Sequence, residues 1–289
     1  MSYCIKDPLS NRNIVELWSS KRLPFEPKGW QHDMRASLRT AISRLVVDDN
    51  SILIALYKSS DKNLCDIDNI LFYNIGSAVF ENVCYNGFFL ERSFGSVNQL
   101  SEKSEIYSHY MRYEFFNQNR QPVYWKIKKE LASWKNLKIK KLTSISKAHM
   151  FWQVFKENQI SVFTDKIYDG YYGIEIELVL SKNDKINSAI LIKPLLDGVI
   201  SAFHSYEGNQ LEEVSERLAI KLSENAEYIS TLLVDKTISI FGSRCVLHPF
   251  KNYVQWNPSD DKCVIIKLIC KYIENNNSRM ISGRLFEVE

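Results

Sequence analysis

The stretch Ser51-Ile-Leu-Ile-Ala-Leu-Tyr57 is apolar through its middle, and the polar turn Lys58-Ser-Ser-Asp-Lys-Asn63 follows it. Asp66-Ile-Asp68-Asn69 then opens an apolar stretch that continues to Phe80. A short apolar run bounded by turn residues is typical of a strand, and the longer run after it favours a helix. These residues therefore predict a strand–turn–helix unit over 51–80.

The same order returns later in the chain. The run Gly173-Ile-Glu-Ile-Glu-Leu-Val-Leu180 precedes a polar turn, and the apolar stretch 190–203 follows that turn. The sequence thus predicts a second unit over 173–204 and an internal duplication, with an N-terminal part at 1–150 and a C-terminal part at 151–289. The mixture indicates an α+β or α/β fold, with short mixed sheets and packed helices.

The remaining segments also carry patterns. The spacing of apolar residues predicts helices at 30–45 and 211–232, and the segment around 122–135 favours another. Strands are expected at 83–94, 236–241, 252–256, 262–270 and 282–288.

The composition narrows the class of protein. At 289 residues, with 45% hydrophobic and 25% charged residues, the chain suits one large or two small globular domains. A net charge of +3 is too small for the electrostatic field of the whole protein to favour one class of partner. The first residues lack a signal-peptide pattern, and no run reaches the about 18 apolar residues of a membrane helix. The cysteines form no CxxC pair, so we expect reduced thiols, a cytoplasmic protein and no membrane partner.

The first candidate site is Asp66-x-Asp68-Asn69. In an extended turn, two carboxylates two residues apart point the same way. With Glu91 as a third ligand from a neighbouring strand, Asp66 and Asp68 form a candidate Mg²⁺ site, because Mg²⁺ prefers hard oxygen ligands. The alternative is that one aspartate caps the helix that follows.

The second candidate combines Glu175 and Glu177 with Lys193 and Asp197. Period-two alternation puts both glutamates on one strand face. Lys193 and Asp197 are four residues apart, so they share a helix face. The alternative is a solvated strand face and a surface ion pair.

A third candidate is the acidic turn Trp256-Asn-Pro-Ser-Asp260-Asp261. Adjacent acids in a turn can lie at the mouth of a site. The alternative is an Asx turn that precedes a strand.

The segment 125–141 is basic, with seven lysines interleaved with Trp125 and Trp134. Lysines neutralise phosphates and aromatic rings stack on bases, so the segment is a candidate nucleic-acid-binding surface. The alternative is a solvated face with both tryptophans in the core. The lysines expected to bind are Lys128, Lys129, Lys135, Lys138 and Lys141.

Four of these motifs resemble the core of the RusA-type Holliday-junction resolvases. Asp66-Ile-Asp68-Asn69 is similar to the family's paired-aspartate signature, and Gly87-Phe-Phe-Leu-Glu91 resembles its aromatic–acidic motif. Lys193-Pro-Leu-Leu-Asp197 resembles the family's Lys-x-x-x-Asp helix, and Trp256-Asn-Pro-Ser-Asp-Asp261 resembles the acidic turn.

The resemblance implies acids that bind Mg²⁺ and a homodimer that acts on branched DNA, which two fused units could imitate. Neither unit carries the full set of residues. The first has Phe72 and Gly76 in place of the helix lysine and acid, and the second has Asn187 and Ala189 in place of the paired aspartates.

We therefore expect a cytoplasmic nucleic-acid-binding protein, in a phage-defence or mobile-element setting. As an enzyme it would be a Mg²⁺-dependent nuclease, with Asp66, Asp68 and Glu91 as metal ligands and Lys193 steadying a phosphate. The alternative is a non-catalytic assembly subunit whose Tyr- and Phe-rich surface holds a protein partner.

Overall fold

The structure is a computed structural model that describes residues 2–9, 13–47, 51–61, 65–97, 107–140, 142, 146–184, 186–274 and 279–289. The helices of these residues are α1 (Trp30–Ile42), α2 (Ala148–Glu157), α3 (Ser188–Ala202), α4 (Leu211–Leu222) and α5 (Ala226–Val234). The strands are β1 (Tyr3–Lys6), β2 (Ile14–Ser19), β3 (Ser51–Ser59), β4 (Gly87–Phe94), β5 (His109–Asn117), β6 (Ile127–Ile139), β7 (Ser161–Val162), β8 (Tyr172–Ser181), β9 (Ser205–Tyr206), β10 (Ser243–Arg244), β11 (Leu247–Phe250), β12 (Tyr253–Trp256), β13 (Cys263–Ile273) and β14 (Arg279–Val288).

Ten of these strands form one mixed sheet, in the order β1-β2-β5-β3-β4-β13-β8-β14-β6-β7. Its middle is the antiparallel pair of β4 and β13. From that pair outward, both halves repeat one pattern, in which the first neighbour is parallel and the later neighbours are antiparallel. The expected α+β class is confirmed.

The chain order of the strands repeats in the same way. Going outward from the middle, the first half runs β4, β3, β5 and the second half runs β13, β8, β14. Counted along the chain, these are the fourth, third and fifth sheet strands of each half. Only the two outer strands are exchanged. A duplication stays a prediction, because β8 is followed by the continuous helix α3 whereas β3 is followed by the separate short turns Asn69–Tyr73 and Ser77–Phe80.

The helices pack on one face of the sheet. Alternation along each strand sends every second side chain toward them. Ala55 of β3, Leu90 of β4 and Ile176 of β8 therefore share one large core with side chains of α1 to α5. The side chains between them face the other side, where Leu56 and Phe89 belong to a second, smaller core.

The predicted helix over 67–80 is broken at Gly76, which has a φ of 112°. The guanidinium of Arg39 occupies the space where a side chain of residue 76 would lie. The predicted helix over 211–232 is likewise two helices. Ser223 ends α4 in the left-handed conformation, and the Asn225 side chain caps α5. The predicted helix α1 is confirmed.

The helix expected around 122–135 is wrong, because the strand β6 occupies most of that segment. The apolar residues Leu131, Trp134 and Leu137 are three apart and thus imitate a helical pattern. The pairing of β6 with β14 shifts register between Glu130 and Ala132 and again between Trp134 and Leu137, where Asn136 adopts a φ of 54°. Such a bulge allows residues three apart to share one sheet face.

Among the strands expected near the end of the chain, 236–241 contains no strand. The others correspond to β12, β13 and β14. Strands from before and after residue 150 belong to one sheet, and β6, which precedes residue 150, lies in the half formed by the later strands. No helix of the described segments has the length and apolar character needed to cross a bilayer.

Candidate metal centre

Four carboxylates and one ammonium group meet at one edge of the sheet. β3 is parallel to β4, and β4 is antiparallel to β13, so the exit from β3 and the entry to β13 lie at the same edge. Asp66 and Asp68 follow β3, and Asp260 precedes β13. α3 brings Lys193 and Asp197 to the same place. We call these five residues the acid cluster.

Lys193 is the centre of the acid cluster. Its Nζ lies 2.8 Å from Asp260 Oδ2, 3.3 Å from Asp66 Oδ2 and 3.1 Å from Asp197 Oδ1. The contact with Asp197 joins residues four apart on α3 and is an ion pair by distance, without the alignment of a hydrogen bond. One ammonium group thus contacts carboxylates from both halves of the sheet.

Asp68 is the most buried carboxylate of the cluster, with 2% of the residue exposed. Among the residues that the structure describes, neither of its carboxylate oxygens has a hydrogen-bond partner. A carboxylate oxygen from each of Asp66, Asp68 and Asp260 lies within 4.8 Å of the others. This geometry lets three acids share one cation.

Burial dominates the protonation of these groups. It raises the pKa of Asp68 to about 7, with Asp260 and Asp66 adding to the rise and Lys193 opposing it. Burial also raises the pKa of Asp197 to about 7 and that of Asp260 above its ordinary value, again against Lys193. Burial alone would lower the pKa of Lys193, but the four surrounding acids raise it well above its usual range. The cluster therefore holds more carboxylate than one ammonium group balances.

The start of α3 is fixed by a side-chain cap. Asn187 Oδ1 accepts hydrogen bonds from the backbone N–H groups of Ala189 and Ile190. Pro194 lies inside the helix, one residue after Lys193. Gly198 lets the helix approach α2 closely, because a side chain there would meet the Ala148 carbonyl oxygen.

The segment that carries Asp260 is held from two sides. His204 Nε2 lies 2.8 Å from the Ser259 hydroxyl, and the Tyr172 hydroxyl donates to the Ser259 carbonyl over 3.1 Å. Burial, with Arg244 and Lys156 adding to it, lowers the pKa of His204 to about 4. The ring is therefore neutral at pH 7.

Arg92 ties the two loops of the cluster together. It is fully buried on β4. Its Nη1 donates to the Cys65 carbonyl, and its Nη2 donates to the Asp261 carbonyl over 2.5 Å. These carbonyls belong to the direct neighbours of Asp66 and Asp260. Arg92 is thus a positioning residue that sequence reasoning missed, although it stands beside the quoted Gly87-Phe-Phe-Leu-Glu91 motif.

Glu91 does not join the acid cluster, and the expectation that it is a metal ligand is not supported by its position. Its carboxylate accepts hydrogen bonds from the backbone N–H groups of Val123, Tyr124 and Trp125, at 2.8, 2.7 and 3.3 Å. Successive strand residues point to opposite faces. Because Arg92 faces the cluster, Glu91 faces the other side of the sheet.

Glu175 and Glu177 also lie away from Lys193 and Asp197. Glu175 accepts a hydrogen bond from Arg284 over 2.7 Å, and Glu177 pairs with Lys271 at 2.7 Å. These contacts lie on the face of the sheet opposite the helices. The alternative of a solvated, ion-paired strand face describes both glutamates.

The lysines of the basic segment do not form one stripe. Lys128 and Lys129 pair with the last two glutamates of the chain, at 2.5 and 3.6 Å. Lys135 borders a cavity on the open face of the sheet, and Lys138 borders a different cavity beside α2. Lys141 lies outside the described residues.

The tryptophans of this segment are both packed against the protein, Trp134 buried and Trp125 partly buried. Trp134 is 4% exposed and packs edge-on against Phe155, with ring centroids 4.8 Å apart. Trp125 packs against the second core and donates from Nε1 to the Arg92 carbonyl. The segment therefore offers little aromatic surface for stacking on bases.

No protein-family model matches the chain, and no curated protein or solved structure matches it at a significant level. The resemblance to RusA-type resolvases therefore rests on the four quoted motifs. Residues of three of them, from both halves of the sheet, meet in the acid cluster.

The corner of the sheet related to the acid cluster by strand order has other residues. It joins the exit from β8 to the entry to β4, where the Ser188 hydroxyl donates to the Cys84 carbonyl. Asn187 and Ala189 stand there, at the positions where the RusA-type signature has its paired aspartates. Among the described residues, only the first corner gathers three potential metal ligands.

Proposed function

We propose that this protein is a metal-dependent enzyme that hydrolyses phosphodiester bonds in nucleic acid, with Mg²⁺ as the expected ion. The buried carboxylate of Asp68 carries the proposal. Neither of its oxygens has a partner among the described residues, and two more carboxylates lie within 4.8 Å. An unpaired buried carboxylate is costly, and a bound cation would supply the missing partner.

The donor set fits a hard cation. Asp66, Asp68 and Asp260 offer only carboxylate oxygens, which Mg²⁺ prefers at about 2.1 Å. Two oxygens on one such ion lie at most about 4.2 Å apart, twice the bond length. The observed limit of 4.8 Å requires only a small closure of the side chains.

Helix capping, the alternative for Asp68, does not describe its side chain. Asp68 stands at the start of the turn Asn69–Tyr73 but makes no side-chain capping bond. Asp66 instead accepts a hydrogen bond from the Asn69 side chain over 2.5 Å. That contact orients the Asp66 carboxylate toward its role in the cluster.

The remaining groups suit a reaction at phosphate. A bound Mg²⁺ ion would lower the pKa of a coordinated water and polarise a phosphoryl oxygen. Lys193 is part-exposed and contacts Asp197 as well as two of the three ligands, so it places a positive charge directly beside the proposed ion. An ammonium group there suits a non-bridging phosphate oxygen, whose charge rises in the transition state.

The test is to titrate Mg²⁺ into metal-free protein by calorimetry and to assay Mg²⁺-dependent cleavage of labelled single-stranded and branched DNA. Asp68→Asn keeps the shape of the side chain and removes its charge. We expect Mg²⁺ binding at least about tenfold weaker, loss of cleavage, and a metal-free protein more stable by about 1–3 kcal/mol, because a buried unpaired charge is gone.

Glu175→Gln is the matched control, since it removes one carboxylate on the opposite face of the sheet. It should keep both Mg²⁺ binding and cleavage. Wild-type affinity for Mg²⁺ in Asp68→Asn would overturn the proposed metal centre.

A further inference from the structure

A groove leads away from the acid cluster between α2, α3, α4 and the β11–β12 hairpin. Its first part is a cavity of about 570 Å³, and Lys193 and Asp197 are among the residues that line it. His149 and Lys221 line this cavity and also a second one, of about 460 Å³, which extends beside the end of β6. The shared lining makes the two cavities direct neighbours, and together we call them the α2 groove.

The α2 groove is basic along most of its length. Lys147 and Lys221 line the first cavity, and Lys138 and Lys140 line the second. Burial lowers the pKa of His149, and Lys221, Lys147 and Lys140 lower it further. Three lysines therefore act electrostatically on one ring in the middle of the groove.

Three acids also line the α2 groove. Asp197, in the first cavity, belongs to the acid cluster. Glu157 and Glu224, in the second cavity, accept hydrogen bonds from Gln153, at 2.8 and 3.3 Å. The first turn of α2 opens into the middle of the groove without a side-chain cap, which adds the positive end of a helix dipole there.

Two aromatic residues of β12 line the first cavity, which also contains Lys193 and Asp197 of the acid cluster. Tyr253 is 46% exposed, at the start of β12. Trp256, at the end of β12, packs against Trp152 with ring centroids 6.3 Å apart. Cations and aromatic rings along one groove are the combination by which proteins hold single strands, since lysines contact phosphates and rings stack on unpaired bases.

We propose that the α2 groove binds single-stranded nucleic acid and leads a phosphodiester to the acid cluster. Lys147 and Lys221 contact its phosphates, and Tyr253 and Trp256 stack on its bases. This inference rests on the proposed function and adds the class of substrate and its path. A duplex fits less well, because its bases are already stacked on one another and show no free face to the rings.

The test measures fluorescence anisotropy of a labelled 20-nucleotide oligo-dT in EDTA, as a function of salt. A hairpin duplex of equal nucleotide number is the comparison. Lys147→Gln/Lys221→Gln should weaken binding of oligo-dT at least tenfold and flatten the slope of log affinity against log salt by about 1.4, at about 0.7 for each phosphate contact. Tyr253→Ala should weaken binding by about tenfold without changing the slope.

Lys128→Gln/Lys129→Gln is the matched control, because it removes the same charge from the basic segment outside the groove. It should leave affinity and slope unchanged. Absence of oligo-dT binding at low salt, equal or tighter binding of the hairpin, or loss of binding in the control variant alone would overturn the inference. Since EDTA removes the metal, groove binding and the metal centre fail separately, and Asp68→Asn should still bind the oligonucleotide.

Discussion

At the residue scale, the site depends on which way each side chain of β4 points. Glu91 and Arg92 are neighbours, yet Glu91 holds backbone amides on one face and Arg92 holds the loops of the acid cluster on the other. The paired aspartates could be predicted from the sequence, because a short Asp-x-Asp after a strand is a local pattern. The partner from β4 could not, since no local pattern tells which strand face carries the site.

Lys193 balances part of the charge of four acids, so its removal should affect stability in a pH-dependent way. Lys193→Met should destabilise the metal-free protein by about 2–4 kcal/mol at pH 8, less than a fully buried pair because the side chain is 34% exposed. The loss should shrink as pH falls below 7. Folded-state pKa values near 7 for Asp68 and Asp197 mean that both acids become protonated in that range.

Urea unfolding of both proteins at pH 5 and pH 8 measures this difference. Lys267→Met, on the open face of the sheet, is the control and should show little dependence on pH over that range. A loss for Lys193→Met that is the same at both pH values would mean that the ammonium group does not stabilise ionised acids.

At the element scale, the strands with local apolar runs could be predicted, and the elements shaped by distant pairing could not. β3 and the first part of β8 follow directly from their residues. β6 could not be predicted, because the register shifts in its pairing with β14 disturb the alternation of its apolar residues. The convergence of α3 with the exit of β3 depends on the order of strands in the sheet, which no local spacing contains.

The backbones of β4 and β13 approach each other closely at Gly87, and a single substitution there tests this contact. Gly87 begins β4 with a φ of 113°, and a Cβ there would overlap the Leu268 carbonyl of β13. Gly87→Ala should therefore destabilise the fold by about 3 kcal/mol or more, because alanine is strained at this positive φ and the backbone of β13 must also move away from the new Cβ.

Gly95→Ala is the matched control, since Gly95 follows β4 with a φ of 123° and has open space around the Cβ position. It should show the strain alone, about 1–2 kcal/mol. If urea unfolding shows the same loss of stability for both variants, β13 can move away from the Cβ of residue 87 without a measurable loss of free energy.

At the scale of the whole molecule, the two halves of the sheet complement each other. The first half carries Asp66 and Asp68, and Phe72 and Gly76 stand at the positions where the RusA-type signature has a lysine and an acid. The second half supplies Lys193, Asp197 and Asp260. The fold thus brings residues of both halves together in one acid cluster. Sequence reasoning combined Asp66, Asp68 and Glu91 with Lys193, whereas in the structure Asp197 and Asp260 join these aspartates and Lys193, and Glu91 lies on the other face.

The strand order repeats in the two halves of the sheet, but the described residues form one acid cluster, and this asymmetry has a consequence for the products of the proposed reaction. Two equal corners would allow paired incisions in one encounter, whereas one corner allows a single break. Under the proposed function, supercoiled circular DNA with a short unpaired bubble should first yield the relaxed open circle. Linear molecules should follow only after an independent second event, as the time course on an agarose gel would show. Linear and open-circular products that arise together from the start would mean that a second site in the protein also cleaves DNA.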